Sequence, residues 1–518
     1  MFVLLILLLV LLILLVLLVL LILLILLTLF ILIIHLNSPH FHTIIFAVNF
    51  RFMQQEVCFL KIEFKKYLCK IFNITPAELD KLYSNGCFRG IRINTLKTDY
   101  DTVKKEIGCS TEKSNFFKDE YYIENDASGI GNNPLHHAGG YYVQEPSASF
   151  VLSAINALPG EKILDLCAAP GGKSTGIGAG LKGEGLLWAN EYIRSRANIL
   201  LSNIERMGIS NAVVSSLDTE YLCKNLPCFF DKVLVDAPCS GEGMWRKNEN
   251  VDYEWNYKNI ENCVDRQRKI LNSAVLSVKP GGLLIYSTCT YNTSENEENV
   301  EWFLNCHNDF TLEKIDSLCG RGGIGKNKEI NEKVKRILPF DKGEGHFVAL
   351  FKRNSANNAA EKEIAVYDNQ ITVKEFSDCE LEPRDREIVN KFISDNFLEI
   401  PSGKFICKNS CVYLVPEKAA FVKGDILRYG LFVGTLRKNR LEPSHALYSA
   451  AGTIPKRVVD LKCDDDRVKK FLLGMEIESE TEDKGYVGIS VCGCKLGFGK
   501  QSGHRITNHY PKGLRIRE

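Results

Sequence analysis

The chain predicts an α/β protein: a doubly wound, mostly parallel sheet with a small α+β domain before it and an α+β region after it. Three observations predict this. Between Lys162 and Ser287 short apolar runs alternate strictly with segments of helical period, the pattern of parallel strands joined by crossover helices. The first run, Ile163-Leu164-Asp165-Leu166, breaks into a small, glycine-rich loop, Cys167-Ala168-Ala169-Pro170-Gly171-Gly172-Lys173. Such a loop lets backbone N–H groups approach a nucleotide-like ligand, with the positive end of a helix from about Lys173 behind it. The later runs end on chemically marked residues: Glu191, Asp218, Asp236 with Cys239, and Cys289.

Length and composition bound the rest. At 518 residues, 45% hydrophobic and 25% charged, the chain has the composition of a globular protein of two or three domains. Residues 1–52 stand apart. Met1 to Leu36 is almost wholly Leu, Ile and Val, and Arg51 is the only full charge before Met53. As one helix the run exceeds a hydrocarbon core of roughly 30 Å. It lacks a basic flank and a small-residue cleavage site, so it does not read as a signal peptide. The expectation is upstream DNA translated in frame, with Met53 the working start; the alternative is a membrane anchor. Without that segment the chain carries 63 Lys+Arg against 63 Asp+Glu, so a nucleic-acid partner must be held by local patches. Eighteen cysteines without framework spacing favour a reducing compartment. Cys407 with Cys411, and Cys492 with Cys494, lack partners at zinc spacing and read as buried small hydrophobes, so no metal is expected.

The elements follow in order. Phe59 to Phe72 has helical spacing, Thr75-Pro76-Ala77-Glu78 starts a helix, and Ile91 to Leu96 alternates as a strand does. His136-His137 has no third ligand nearby and reads as a loop or helix entry. Strands are expected at Lys162–Leu166, Gly185–Glu191, Ala212–Leu217, Lys232–Val235 and Leu283–Ser287. Helices are expected at Tyr192–Met207 and Ile260–Val278, the second stopped by Lys279-Pro280-Gly281-Gly282. Ser294-Glu295-Asn296-Glu297 has the form of a capping box opening another helix, and Arg336–Phe340 with Gly345–Lys352 a closing hairpin. The domains are accordingly residues 53–149, 150–353 and 375–518, with a polar linker at 354–374. A helix is expected near Arg384–Phe397, and Lys495–Glu518, with six Lys or Arg, one Glu, Phe498 and Tyr510, suits either an RNA surface or a solvated tail.

In open parallel sheets ligands lie beyond the carboxyl ends of the strands. An acid ending the second strand is placed for ribose hydroxyls, although carboxylates also cap helices. Glu191, Asp218 and Asp236 in succession suit a nucleoside-bearing cofactor. Gly172-Lys173-Ser174 resembles the tail of a P-loop, but the required earlier glycine is replaced by Cys167, so a long phosphate tail is not indicated. A lone cysteine at a strand end is usually packing; Cys239 and Cys289 converging on one cleft suggest a nucleophile, with Lys173 beside it.

Asp165-Leu166-Cys167-Ala168-Ala169-Pro170-Gly171-Gly172-Lys173, Asp236-Ala237-Pro238-Cys239-Ser240-Gly241-Glu242-Gly243 and Tyr286-Ser287-Thr288-Cys289-Thr290 resemble the Sun family of RNA cytosine-5 methyltransferases. Arg92-Ile93-Asn94-Thr95-Leu96-Lys97 and Tyr142-Val143-Gln144-Glu145-Pro146-Ser147 are similar to the same family. Arg440-Leu441-Glu442-Pro443-Ser444-His445-Ala446-Leu447, Leu496-Gly497-Phe498-Gly499-Lys500 and Asn508-His509-Tyr510-Pro511-Lys512-Gly513 resemble its bacterial, RsmF-like 16S rRNA branch, with a PUA-like tail. The resemblance covers nearly everything after Met53 and nothing before it. It implies a Rossmann-like fold, S-adenosylmethionine as cofactor, RNA as partner (small-subunit rRNA, or alternatively tRNA), and a cytoplasmic monomer without metal. It also implies that Cys289 bonds cytosine carbon 6, Cys239 assists release, Asp236 contacts the base and Lys173 assists. Cys167, Ala168, Ala169, Pro170, Gly171, Gly172, Lys173, Glu191, Asp218 and Asp236 would hold the cofactor. The competing classes are a P-loop nucleotide-binding protein, a DNA cytosine methyltransferase with its nucleophile at Cys239, and a non-catalytic RNA-binding protein, which would need a broken motif.

Overall fold

The computed structural model describes residues 62–84, 86–124, 129–246, 255–355 and 380–516. The apolar run 1–36 and most of the expected linker lie outside them. Two compact units divide the chain, Met1–Leu68 and Cys69–Glu518. In the first, residues 62–68 are helical. The second carries every other described element.

Its N-terminal part is a small α+β domain. Helix Pro76–Tyr83 starts as its sequence demands: the Thr75 hydroxyl accepts from Glu78 N–H while the Glu78 carboxylate accepts from Thr75 N–H at 2.8 Å. Strand Gly90–Ile93 lies between Glu120–Ile123 and Tyr141–Gln144, with Thr111–Lys113 outermost, all antiparallel. The expected strand to Leu96 stops at Ile93, because the Asn94 carbonyl accepts from Lys97 and Thr98 N–H and closes a turn.

The central sheet contains β1 (Lys162–Asp165), β2 (Leu186–Asn190), β3 (Ala212–Ser215), β4 (Phe230–Asp236), β5 (Val278–Thr288), β6 (Phe310–Glu313), β7 (Lys335–Ile337), β8 (His346–Arg353) and β9 (Ile426–Tyr429). Its order is β6-β8-β5-β4-β1-β2-β3-β9, with β7 beside β8. Strands β1 to β5 are parallel; β6 to β9 are antiparallel to their neighbours. The chain reverses direction across the sheet between β1 and β4, and the crevice over their carboxyl ends is where such sheets bind ligands.

Among the described helices, those that cover the sheet include α1 (Gly172–Leu181), α2 (Arg194–Arg206), α3 (Thr219–Asn225), α4 (Tyr257–Ser277) and α5 (Glu297–Cys306). Alternation along the strands sorts them onto two faces. Ile163, Leu187, Val214, Leu234 and Ile285 pack with Ile177, Leu200 and Ile204 of α1 and α2. Leu164, Trp188, Val213, Val233 and Leu284 pack with Leu222, Leu271, Ala274, Val300 and Phe303 of α3, α4 and α5. Lys279-Pro280-Gly281-Gly282 does stop α4, but by bulging within β5: Phe230 pairs with Val278 and Lys232 already with Leu283.

Two further sequence expectations need correction. The capping box at Ser294–Glu297 does not form, since α5 begins at Glu297 with no side-chain cap. Glu297 is buried instead against Arg336, 2.6 Å from its Nε. The aromatics of the basic C-terminal stretch do not face an RNA surface. Phe498 and Tyr510 are buried, Phe498 stacked on Tyr448 and Tyr510 against Phe471. The expected C-terminal helix, Pro383–Asn396, is present, but β9 from that region joins the central sheet beyond β3. The remainder forms sheets Lys404–Lys408/Cys411–Val415/Leu431–Arg437/Arg440–Pro443 and Val458–Leu461/Ile477–Val491/Cys494–Asn508. The second of these shares one apolar cluster with the N-terminal domain, where Ile91, Val103 and Tyr141 meet Val468, Phe471 and Val487.

Candidate active site

The parallel strands carry the marked residues to one side of the sheet because each lies at a strand's carboxyl end. Asp165 closes β1 and Asp236 closes β4; Glu191 follows β2, Asp218 follows β3 and Cys289 follows β5. Between β1 and α1 the loop turns through Gly171, whose φ of 113° only glycine adopts without strain. Gly172 approaches Gln144 so closely that a Cβ would sit 3.0 Å from its Oε1.

Lys173, in the first turn of α1, reaches across to Asp236 with a 2.7 Å Nζ–Oδ2 contact. The other carboxylate oxygen accepts from Ser287 Oγ at 2.7 Å and lies 4.0 Å from His346 Nε2. Burial works to raise the Asp236 carboxyl, but Lys173 and His346 outweigh it and hold it below the ordinary carboxylate value. Burial works equally against the Lys173 ammonium, and the Asp236 charge more than offsets it, so the lysine stays charged with its proton held more tightly than usual.

Beside this ion pair Cys239 Sγ lies 3.3 Å from Cys289 Sγ. The contact with Cys289, then burial, raises the Cys239 thiol well above its ordinary value. A buried polar lattice fixes both cysteine loops. Glu295 accepts from Ser240 N–H at 3.0 Å, from Gln267 Nε2 at 2.6 Å and from Asn292 Nδ2 at 2.6 Å. Ser240 and Thr290, the residues following the two cysteines, join through their hydroxyls at 2.7 Å. Gln267 Nε2 also donates to the Pro238 carbonyl at 3.1 Å. The sequence gives Gln267, Asn292 and His346 no signal, and Glu295 only a place in a capping-box motif; their meeting depends on the folded sheet.

The other expected site residues stand at or just after the neighbouring strand ends. Asp165 is fully buried, its Oδ2 accepting from Ser174 Oγ at 2.6 Å while Oδ1 has no partner among the described residues. Burial pushes its carboxyl up to about 7 and raises the neighbouring Cys167 thiol as well. An unsatisfied buried oxygen under a glycine loop is a ready acceptor for a ligand N–H or O–H. Glu191 accepts from Ile193 N–H at 3.0 Å and lies 3.4 Å from Arg196 Nη1. Arg196 and Asn203 in turn donate to the carbonyls of Ala169 and Pro170 at 3.0 and 2.9 Å, tying α2 to the loop below Ala168. Asp218 is exposed and caps α3, accepting from Tyr221 N–H at 3.0 Å; Oδ1, at least, does the capping work that any acid there can do. From the N-terminal domain, buried Arg92 donates to Gln144 Oε1 at 2.9 Å and to Thr175 Oγ1 at 2.7 Å, holding α1 from outside.

Comparison with known proteins places this architecture. Residues 152–352 match the profile described as 16S rRNA methyltransferase RsmB/F. Residues 60–146, 391–450 and 458–516 match the N-terminal, first C-terminal and PUA domains of RsmF. Ribosomal RNA small subunit methyltransferase F of Vibrio vulnificus (strain YJ016) is 31% identical over 469 residues, 86% of this chain and 96% of that one. The protein of that name from Aeromonas salmonicida is 31% identical over 442 residues, 82% of this chain and 90% of that one. Among solved structures, NSun6 from Pyrococcus horikoshii with SFG shares the fold, at TM-score 0.50 and 22% identity over 57% of this chain and 98% of that one. At this identity and span, the chain is a member of the 16S rRNA methyltransferase RsmB/F family, on its RsmF branch, and a methyltransferase that draws on S-adenosylmethionine.

Proposed function

We propose that the protein methylates carbon 5 of a cytosine in small-subunit rRNA through a covalent adduct between Cys289 and carbon 6. The observation that carries the reading is the 3.3 Å approach of Cys239 and Cys289 beside the Lys173–Asp236 pair. Carbon 5 of cytosine is a poor nucleophile, and adding a thiolate at carbon 6 makes it enamine-like. S-adenosylmethionine supplies an electrophilic methyl group when bound. The backbone of Cys167–Gly172, the spare oxygen of Asp165, Glu191 and Asp218 would hold it over the β1–β4 crevice, next to Asp236 and Lys173.

In this reading Cys289 Sγ bonds carbon 6 and its proton passes to ring nitrogen 3, which takes up the displaced electron pair; Lys173 donates to the base's polar edge and the Asp236 carboxylate accepts from its N–H groups. Carbon 5 then takes the methyl group. Release requires loss of the carbon 5 proton and cleavage of the sulfur–carbon 6 bond. Cys239, 3.3 Å from the Cys289 sulfur, is placed to assist that elimination. The base must leave its stack to reach these groups, which favours an unpaired or flipped cytosine. The printed names of the relatives support rRNA as the substrate.

Two variants test the chemistry. Cys289→Ser abolishes methyl transfer, whereas Cys239→Ser accumulates methylated RNA as an adduct that survives denaturing electrophoresis. Full turnover in Cys289→Ser, or an adduct mapped to Cys239, overturns the assignment. Bisulfite mapping of ribosomal and transfer RNA with and without the gene tests the substrate.

A further inference from the structure

We infer that Glu106, Cys463 and Cys492 form a zinc site that fastens the N-terminal α+β domain to the C-terminal one. Glu106 lies in the last turn of helix Tyr100–Ile107. Cys463 follows strand Val458–Leu461, and Cys492 sits in the tight turn between Ile477–Val491 and Cys494–Asn508. One carboxylate oxygen and the two sulfurs lie within 4.8 Å of one another, and the sulfurs are 3.7 Å apart. Tetrahedral zinc with bonds of about 2.3 Å to sulfur puts two thiolates about 3.8 Å apart. A disulfide brings them to about 2.05 Å.

The turn bearing Cys492 is held independently of any ion. Cys492 N–H donates to the Leu461 carbonyl at 2.9 Å, and Asp460 accepts from Gly493 N–H at 2.9 Å and from Ser490 Oγ at 2.6 Å. Cys494, its neighbour in sequence, turns instead toward the Lys97 carbonyl. Two sulfurs and one carboxylate oxygen suit zinc and do not suit magnesium or calcium, which take oxygen ligands. All three residues are half-buried, so solvent completes a fourth position. Binding releases one proton from each thiol to water and forms two zinc–sulfur bonds, leaving the site with one net negative charge. The sequence could not show this, because the partner of Cys492 is 29 residues upstream and the oxygen ligand belongs to another domain.

The test is made on the full chain, reduced, stripped of metal and titrated with zinc against a chromophoric chelator. The wild type and Cys239→Ser/Cys289→Ser are expected to bind one equivalent and to gain thermal stability from it. Cys463→Ser/Cys492→Ser is expected to lose both effects, and Glu106→Gln to weaken binding about 10-fold or more. Glu106→Gln keeps both thiols and reports on the same site should the cysteine variant fail to fold. Unchanged zinc affinity and stoichiometry in Cys463→Ser/Cys492→Ser and Glu106→Gln overturns the inference. No binding by the wild type, or a Cys463–Cys492 disulfide persisting in the reduced protein, does the same.

Discussion

Glu297 separates two physical accounts of the same residue by magnitude. As the last member of a capping box its removal would cost about 1 kcal/mol, and removal of Ser294 would cost a similar amount. In the structure α5 has no side-chain cap, and Glu297 is paired with Arg336, whose side chain is 1% exposed. Glu297 Oε1 accepts from Arg336 Nε at 2.6 Å and from Ile324 N–H at 3.0 Å. Glu297→Ala therefore strands a buried guanidinium and a backbone donor, and breaking a buried pair from one side costs about 3–5 kcal/mol. Urea unfolding of the central domain measures this, with Trp302 on the same helix as fluorescence reporter. Glu297→Ala is expected to lose about 3 kcal/mol or more, Ser294→Ala less than about 0.5 kcal/mol, and Glu297→Leu/Arg336→Met to recover most of the loss. Arg336 Nη1 also donates to the Tyr291 carbonyl at 2.6 Å, two residues past Cys289, so methyl transfer should fall in Glu297→Ala as well. Equal losses of about 1 kcal/mol from Glu297→Ala and Ser294→Ala would refute the buried-pair account.

Lys173→Met removes the charge that holds Asp236 ionised; turnover is expected to fall about 100-fold, and the acid limb of the pH–rate profile to move to higher pH. Wild-type kinetics in that variant would remove Lys173 from the mechanism. Asp165 has its carboxyl raised from 3.8 to about 7, so the folded protein binds an extra proton in that window and loses stability as pH rises through it. Asp165→Asn should flatten that fall, read as urea midpoints across the same range; an unchanged slope counts against a buried ionisable acid there. Gly139 has φ 75°, and a Cβ there would meet the Arg206 carbonyl oxygen at 1.9 Å. Gly139→Ala is expected to destabilise by more than about 2 kcal/mol in thermal unfolding, by forcing the N-terminal domain away from α2.

What the chain discloses of itself depends on the distance over which each feature is decided. Strands β1 to β5 are legible because a strand buried on both faces is an apolar run, and its end is marked where polarity returns. The loop after β1 and the four marked ends of the later strands follow from the same local rule. The lattice of Glu295, Gln267 and Asn292 is invisible, because a glutamine of α4 and two polar residues of the loop after Cys289 carry no joint pattern until the fold brings them together. Glu297 was misread for the converse reason: a local motif was present, and a partner 39 positions away outcompeted it. Phe498 and Tyr510 show the same limit, since interleaving with basic residues does not say which face of a strand is buried.

Strand β9 bears on how the protein is made. It pairs with β3 and closes an edge that would otherwise present unpaired N–H and C=O groups to solvent. That edge belongs to the central domain, and its cover is translated only after the whole of that domain. A nascent chain halted before Ile426 therefore carries an open parallel sheet, poised to pair with another copy of itself, and the completed protein is protected by its own late arrival.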